Sequence, residues 1–357
     1  MGVSRLLDEA VAAGVCTAAT LVASRPGHAA IEACAGGAEP GTVFDLASLT
    51  KILSTTAAGM LGPDPLTPVG SLVPEWTAGA EAGVTLAQLL HHESGLTWWR
   101  PFHEEVGAPP GAVREASLRD AVRGRLAALP LERPPGVEAV YSDPGFLLLE
   151  WALERALGGS PHELARRAWH EPLGMAATFF IDLTDPADRQ RRLAAHAFAP
   201  TEDCEWRGRR LTAEVHDPNA HAMGGIAGHA GLFGIAADVH AFGRGVLDAL
   251  RGRGPVDVGA EVVERFLTTF GEAEGTTRVL GWDTPTPGAT SAGRHVSRAA
   301  VGHLGFTGTG LWVDPEHDIV VALLTNRVFH GAERREGIIR LRPAVHTAVY
   351  EALGVGA

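Results

Sequence analysis

Residues 44–51 read Phe44-Asp45-Leu46-Ala47-Ser48-Leu49-Thr50-Lys51, and the apolar spacing that follows them sets their conformation. Leu49, Ile52, Leu53, Thr56, Ala57 and Met60 recur at i, i+3, i+4, i+7, i+8 and i+11, which predicts a helix beginning at Ser48. Residues three apart on a helix share a face, so Ser48 and Lys51 come within side-chain reach. A serine at a helix start meets free backbone N–H groups and the positive end of the dipole, which favour a developing oxyanion. Its hydroxyl is a weak nucleophile until a neighbouring base takes the proton. A lysine withdrawn from water can act as that base or tune another.

The lysine stands out for its scarcity. Of the 30 basic residues 29 are arginine, and Lys51 is the single lysine. Tyrosine is confined to Tyr141 and Tyr350, and asparagine to Asn219 and Asn326. A bias that replaces lysine wherever a generic cation suffices should leave it where arginine cannot serve. Arginine is always charged, whereas a lysine can give up its proton when its site is tuned.

Working outward, Thr17–Ala23 and Ala29–Cys34 read as short strands joined around Arg25-Pro26-Gly27-His28, a hairpin. From about residue 63 to 200 the pattern is of short helices broken by Pro and Gly: Leu86–His91, Leu118–Leu129, Gly145–Leu157 and Pro161–Trp169. A Gly-rich stretch, Met223–Gly234, precedes a helix from about Ala237 to Leu250. Thr309–Val313 and Ile319–Thr325 are apolar strands around a turn at Asp314-Pro315-Glu316-His317, and a closing helix spans roughly Arg335 to Leu353. Strands at both chain ends with helices between them imply one shared sheet and an inserted helical part. The expected division is residues 1–62 with 205–357 as the α/β sheet domain and residues 63–204 as the helical domain, with the active site between them.

Composition narrows the function classes. The 357 residues are 45% hydrophobic and 20% charged, enough for a sizeable core, and the formal charge of −12 argues against a nucleic-acid partner. No apolar run reaches the ~18 residues of a membrane span. The N-terminal segment carries Arg5, Asp8 and Glu9 where a secretory leader would be continuously apolar, and it reads as an amphipathic helix. With three cysteines in no paired spacing, the expectation is a cytoplasmic protein with reduced thiols.

Two further segments carry chemistry. Tyr141-Ser142-Asp143 follows Pro134-Pro135-Gly136 and opens an apolar helix. Tyr141 reads either as a core aromatic or, near a cation, as a general acid or base. Gly302-His303-Leu304-Gly305-Phe306-Thr307-Gly308-Thr309 reads either as a plain turn or as a strand edge against which a substrate lies. Sixteen histidines invite a metal reading, with Glu214, His216, His221 and His229 or His91, His92 and Glu93 as ligands. No His-x-x-x-His pair with a Glu supports it, so no metal is expected. Trp98, Trp99 and Phe102 either wall a pocket or pack. A Gly-x-Ser-x-Gly elbow is absent, which argues against an α/β-hydrolase.

Ser48-x-x-Lys51, Tyr141-x-Asp143 and His303-x-Gly305, in that order, resemble the three motifs of the serine β-lactamase and penicillin-binding-protein superfamily. The resemblance is to its class C branch with the related esterases and peptidases, and it covers residues 41 to 330. The flanking segments Leu89–Leu96 and Leu323–Arg327 agree with it. Glu214-Val215-His216-Asp217-Pro218-Asn219-Ala220 is similar to a narrower subgroup that includes exo-acting amidases trimming muropeptides. The resemblance implies a β-lactamase-like α/β (α+β) fold: an antiparallel sheet flanked by N- and C-terminal helices, with an inserted all-helical domain.

It implies roles as well. Ser48 would be acylated, and Lys51 and Tyr141 would share the proton traffic. The N–H groups of Ser48 and Phe306 would form the oxyanion hole, with Asp143, His303 and Gly305 contacting substrate. Neither a metal nor an organic cofactor is implied. The partner would be a small-molecule ester, amide or peptide, with no nucleic acid and no membrane.

Two departures matter. The second motif usually ends in Asn, whereas an ionised Asp143 can accept but cannot donate. Leu304 offers no hydroxyl to a substrate carboxylate. Both changes count against efficient β-lactam hydrolysis. The resulting expectation is a serine hydrolase of carboxylesterase, D-amino-acid peptidase or muropeptide amidase type, with an acylation-only sensor of peptidoglycan-like fragments as the alternative.

Overall fold

A computed structural model of the chain describes residues 2–111 and 117–356. Its main sheet has seven antiparallel strands in the order β2-β1-β12-β11-β10-β9-β8. The strands are β1 (Ala18–Ser24), β2 (Ile31–Gly36), β8 (Arg278–Val279), β9 (Trp282–Asp283), β10 (Val301–Leu304), β11 (Gly310–Asp314) and β12 (Ile319–Thr325). The first and last parts of the chain therefore meet in the register Ala19↔Thr325 through Ser24↔Val320. The β1–β2 hairpin turns where the sequence places it: Gly27 takes φ +81° and the His28 N–H returns to Arg25 O at 3.1 Å.

Side chains alternate between the two faces of a strand, and β12 shows what that does here. Ile319, Val321 and Leu323 point to the outer face with Ala19, Leu21 and Ala23. There they pack beneath the N-terminal helix (Val3–Ala12) and the C-terminal helix (Glu336–Ala352). Val320, Ala322 and Leu324 belong to the larger inner core, which the helix Ala236–Leu250 enters through Val239, Phe242 and Val246. A Cβ on Gly243 would stand 2.6 Å from Val320 Cγ1, so a glycine there lets the helix lie against the sheet.

The same inner core continues into the helical middle of the chain. Its centre is the helix Asp143–Leu157, in which every residue from Pro144 to Leu153 is buried, as expected of a helix apolar on most sides. Two small sheets complete the fold. β3 (Phe44–Asp45), β7 (Leu232–Gly234) and β4 (Phe179–Phe180) form one, and the hairpin of β5 (Asp203–Cys204) with β6 (Arg209–Arg210) forms the other.

The expected helix after Ser48 is present with a different winding. The N–H groups of Leu49, Thr50 and Lys51 bond to carbonyls three residues back, which tightens the first turn. Residues Lys51–Thr56 then form a wide π-helical turn before the chain returns to α-helix at Ala57–Gly59. The apolar spacing is compatible with either winding, so the pattern that locates the helix does not reveal the widened turn.

Candidate active site

β3 delivers the serine. The buried Asp45 carboxylate accepts from the Ala47 N–H at 2.8 Å and from the His216 N–H at 2.7 Å. That clamp holds Ala47 at φ +47°, a left-handed conformation uncommon for a residue with a Cβ, and presents Ser48 immediately afterwards. Burial raises the pKa of Asp45, and the N–H groups it accepts from act in the opposite direction. From the other side Thr307 Oγ1 donates to Asp45 O at 2.8 Å and Thr309 Oγ1 to Leu46 O at 3.0 Å. The third motif is thus laced to the first.

The second motif is set by a helix cap. Ser142 accepts from the Gly145 N–H at 3.0 Å, and Pro144 fits the first turn of the helix that Asp143 opens. The Leu89–Leu96 segment supplies the scaffold. His92 Nδ1 accepts from the Ser142 N–H at 3.0 Å, its carbonyl takes the Val140 N–H at 2.9 Å, and its ring lies 4.5 Å from that of Tyr141. Burial lowers the His92 pKa, with the charges of Arg278 and Lys51 acting in the same direction, so the ring stays neutral and its Nδ1 can accept.

The three elements converge on Lys51, whose side chain is fully buried. Its ammonium has three donors and uses them on Ser48 Oγ at 3.0 Å, Asp143 Oδ1 at 2.7 Å and the His229 carbonyl at 3.2 Å. Tyr141 OH donates to the same Ser48 Oγ at 2.7 Å. Burial alone would push Lys51 toward neutrality, but the Asp143 carboxylate, followed by Tyr141, raises its pKa above the ordinary lysine value. For Tyr141, burial raises the pKa and outweighs the opposing pull of Lys51. Both groups therefore hold their protons at neutral pH.

Ser48, Tyr141, Asp143, Gly305 and Phe306 all line one cleft of about 650 Å³, together with Trp98, Trp99, Asp217 and His229. Among the described residues neither the Ser48 N–H nor the Phe306 N–H donates to a protein acceptor. Gly305 is required on space alone, because a Cβ there would stand 2.7 Å from Leu46 O. His303 is the exception among the expected contact residues. It is 1% exposed, lies behind the cleft with its ring 6.1 Å from that of Tyr141, and bonds Leu304 O through Nδ1 at 2.9 Å. A larger open groove of about 1520 Å³ runs between residues 284–298 and the C-terminal helix and contains neither Ser48, Lys51 nor Tyr141.

Three histidines around the Gly-rich loop divide between two tasks. His221 Nε2 meets the carbonyls of Pro109 and Gly111 at 3.3 and 2.9 Å, around the Gly-rich loop. His216 and His229 instead pair with Glu202 at 3.0 Å and Asp217 at 2.8 Å. One potential ligand atom from each of Asp143, Asp217 and His229 lies within 4.8 Å of the others, and all three side chains are already engaged, Asp143 with Lys51 and Asp217 with His229. Sequence reasoning gave Asp45 and Asp217 no role and considered His92 only as a metal ligand, although each lies in a segment that the motif comparison singles out.

Within one fold the chain thus brings Lys51 and Tyr141 within hydrogen-bond distance of Ser48 at the wall of a cleft. Comparison places the chain more narrowly. The Beta-lactamase family model matches residues 3–345, and the chain belongs to that family. An Escherichia coli K12 protein provisionally named a D-alanyl-D-alanine carboxypeptidase is 31% identical over 317 residues, 81% of this chain and 70% of that protein. The N-acetylmuramyl-L-alanine amidase of Bacillus subtilis strain 168 is 29% identical over 348 residues, 87% of this chain and 76% of the amidase. In fold, the chain is similar to EstCE1, a hydrolase with promiscuous acyltransferase activity, with a TM-score of 0.72 and 20% identity over 96% of this chain and 97% of that one. No helix among the described residues is long and apolar enough to cross a membrane.

Proposed function

We propose that this protein hydrolyses an ester or amide through an acyl-enzyme on Ser48. The observation that carries the reading is the Ser48 hydroxyl held between Lys51 Nζ at 3.0 Å and Tyr141 OH at 2.7 Å in a cleft wall. The Lys51–Tyr141 pair becomes competent on losing one proton to solvent; it then takes the Ser48 Oγ proton as the Oγ–carbonyl bond forms and the carbonyl oxygen becomes the oxyanion. The Ser48 and Phe306 N–H groups receive the oxyanion. The same pair returns the proton to the departing amine or alcohol and then takes one from the water that releases the acyl group. Asp143 sets the charge of Lys51, Gly305 lets the substrate approach the β10 edge, and His303 supports the Tyr141 ring from behind.

The names of the two curated relatives support substrates drawn from peptidoglycan: a D-amino-acid peptide or a muropeptide amide. The likeness in fold to a promiscuous hydrolase supports simple esters as surrogates. Asp143 and Leu304 argue for weak or no turnover of β-lactams. The cleft draws Ser48 and Gly305 from residues 1–62 and 205–357, and Trp98, Tyr141 and Asp143 from residues 63–204, which supports an active site between two such domains.

A panel of p-nitrophenyl esters, a chromogenic cephalosporin, D-amino-acid peptides and a muramyl peptide tests the assignment. Turnover of an ester or amide that disappears in Ser48→Ala is the expected result. Stoichiometric acylation without turnover would mean an acylation-only sensor.

A further inference from the structure

We propose that Trp98 and Trp99 form a platform on which a neutral, N-acetylated sugar ring of the substrate stacks beside Ser48, a specificity that rests on the serine-hydrolase reading of that residue. Both indoles line the same cavity as Ser48, Asp143 and Asp217. Their ring centroids stand 5.9 Å apart with the planes inclined by 32°. Trp98 is 64% exposed, and every other tryptophan among the described residues is buried or half-buried.

That exposure is fixed by the backbone. Thr97 O accepts from Ser142 Oγ at 2.7 Å, Trp98 O from the Asp143 N–H at 3.0 Å, and Arg100 O from Asn219 Nδ2 at 2.8 Å. Asn219, itself buried, also accepts the His103 N–H through Oδ1 at 3.0 Å. It is one of two asparagines in the chain, and it stands where a side chain must donate and accept at once, which an ionised aspartate cannot do. The loop is tied on one side to the second motif and on the other to the turn after Asp217. It therefore holds the indole outward, and a ligand binds without having to order it.

The polar groups around the platform define its occupant. Neither of the two indole N–H groups donates to a protein acceptor among the described residues. Asp143 engages one oxygen with Lys51, and Asp217 engages one with His229 and the Ala220 N–H. The other oxygen of each carboxylate takes no protein donor among the described residues. Because both charges are already matched, an ion gains little here, and a hydrocarbon chain would cover these polar groups without giving them a partner. An N-acetylated pyranose offers a partner to each. Its C–H face lies on an indole, its hydroxyls donate to the carboxylate oxygens, and its acetamido carbonyl accepts an indole N–H. Of the two peptidoglycan substrates proposed above, the platform favours the muropeptide amide over the sugar-free D-amino-acid peptide.

Binding can be measured apart from turnover. The full chain carrying Ser48→Ala is titrated calorimetrically with three ligands of equal charge. They are N-acetylmuramyl-L-alanyl-D-isoglutamine, the N-acetyl peptide that lacks the sugar, and the decanoyl peptide that replaces the sugar with hydrocarbon. The muramyl peptide should bind about tenfold more tightly than either of the others, and added salt should leave that ratio unmoved. Trp98 is exposed, so Trp98→Ala and Trp98→Phe should fold, which a thermal melt verifies. Trp98→Ala should abolish most of the ratio, and Trp98→Phe should keep part of it. Four results would overturn the platform: equal affinity for the muramyl and acetyl peptides, an equal gain from the decanoyl chain, no binding of the muramyl peptide at millimolar concentration, or a ratio untouched by Trp98→Ala. Because no step requires catalysis, failure here is distinct from failure of the nucleophile assignment, which Ser48 labelling reads separately.

Discussion

In the proposed mechanism, Lys51 and Asp143 set how readily Ser48 is activated. The carboxylate 2.7 Å from Nζ holds the proton on the lysine, so the competent form of the Lys51–Tyr141 pair grows as pH rises. Replacing Asp143 with Asn removes that charge and keeps the shape. The alkaline-going rise of kcat/KM on a neutral ester should then move to lower pH by ~1 unit or more, the scale on which an adjacent opposite charge shifts a pKa. A pH–rate profile checks this, and an unmoved limb would show that the lysine proton does not limit the reaction. Lys51→Arg keeps the charge, but arginine cannot give up a proton and its fork does not fit three acceptors that converge on one nitrogen. A loss of about 100-fold or more in kcat is expected. The scarcity of lysine in the sequence points to the same residue.

At the scale of elements, the site depends on how short segments hold one another. Asp45 is the hinge between β3, the strained Ala47 and the loop at His216. Asp45→Ala strands the buried Ala47 N–H and the part-buried His216 N–H and should cost about 1–3 kcal/mol in a urea titration, with a fall in kcat as the Ser48 turn relaxes. If the urea midpoint stays put, the clamp is not what holds the turn. The sequence carried the placement of most elements, because strand alternation and helical spacing are local patterns: the β1–β2 hairpin, β12 and the helices around 143–157 and 236–250 lie within a few residues of expectation. What it did not carry depends on partners distant in the chain. His92 becomes a scaffold only when Ser142 folds onto it, and His303 reads as a contact residue until the sheet buries it.

For the whole molecule, the buried histidines set the response to acid. His92, His221, His240, His303 and His346 all have lowered pKa values, chiefly from burial, with His221 and His240 at about 4 and His346 at about 3. A group depressed in the folded state is neutral there and protonated in the unfolded chain below about 6.5, so its contribution is complete above that pH. It is lost as pH falls from about 6.5 toward the folded value. His346 alone should forfeit about 2 kcal/mol between pH 6.5 and 5. Melting temperature should therefore drop steeply over that window, and His346→Leu should flatten the drop; an unchanged slope would remove His346 from the account.

The central claim is that Ser48 is the nucleophile, and mass spectrometry of the fluorophosphonate-treated protein tests it most directly. The expected result is a single adduct on the peptide containing Ser48, absent from Ser48→Ala together with ester or amide hydrolysis. An adduct on another residue, or hydrolysis that survives in Ser48→Ala, would contradict it.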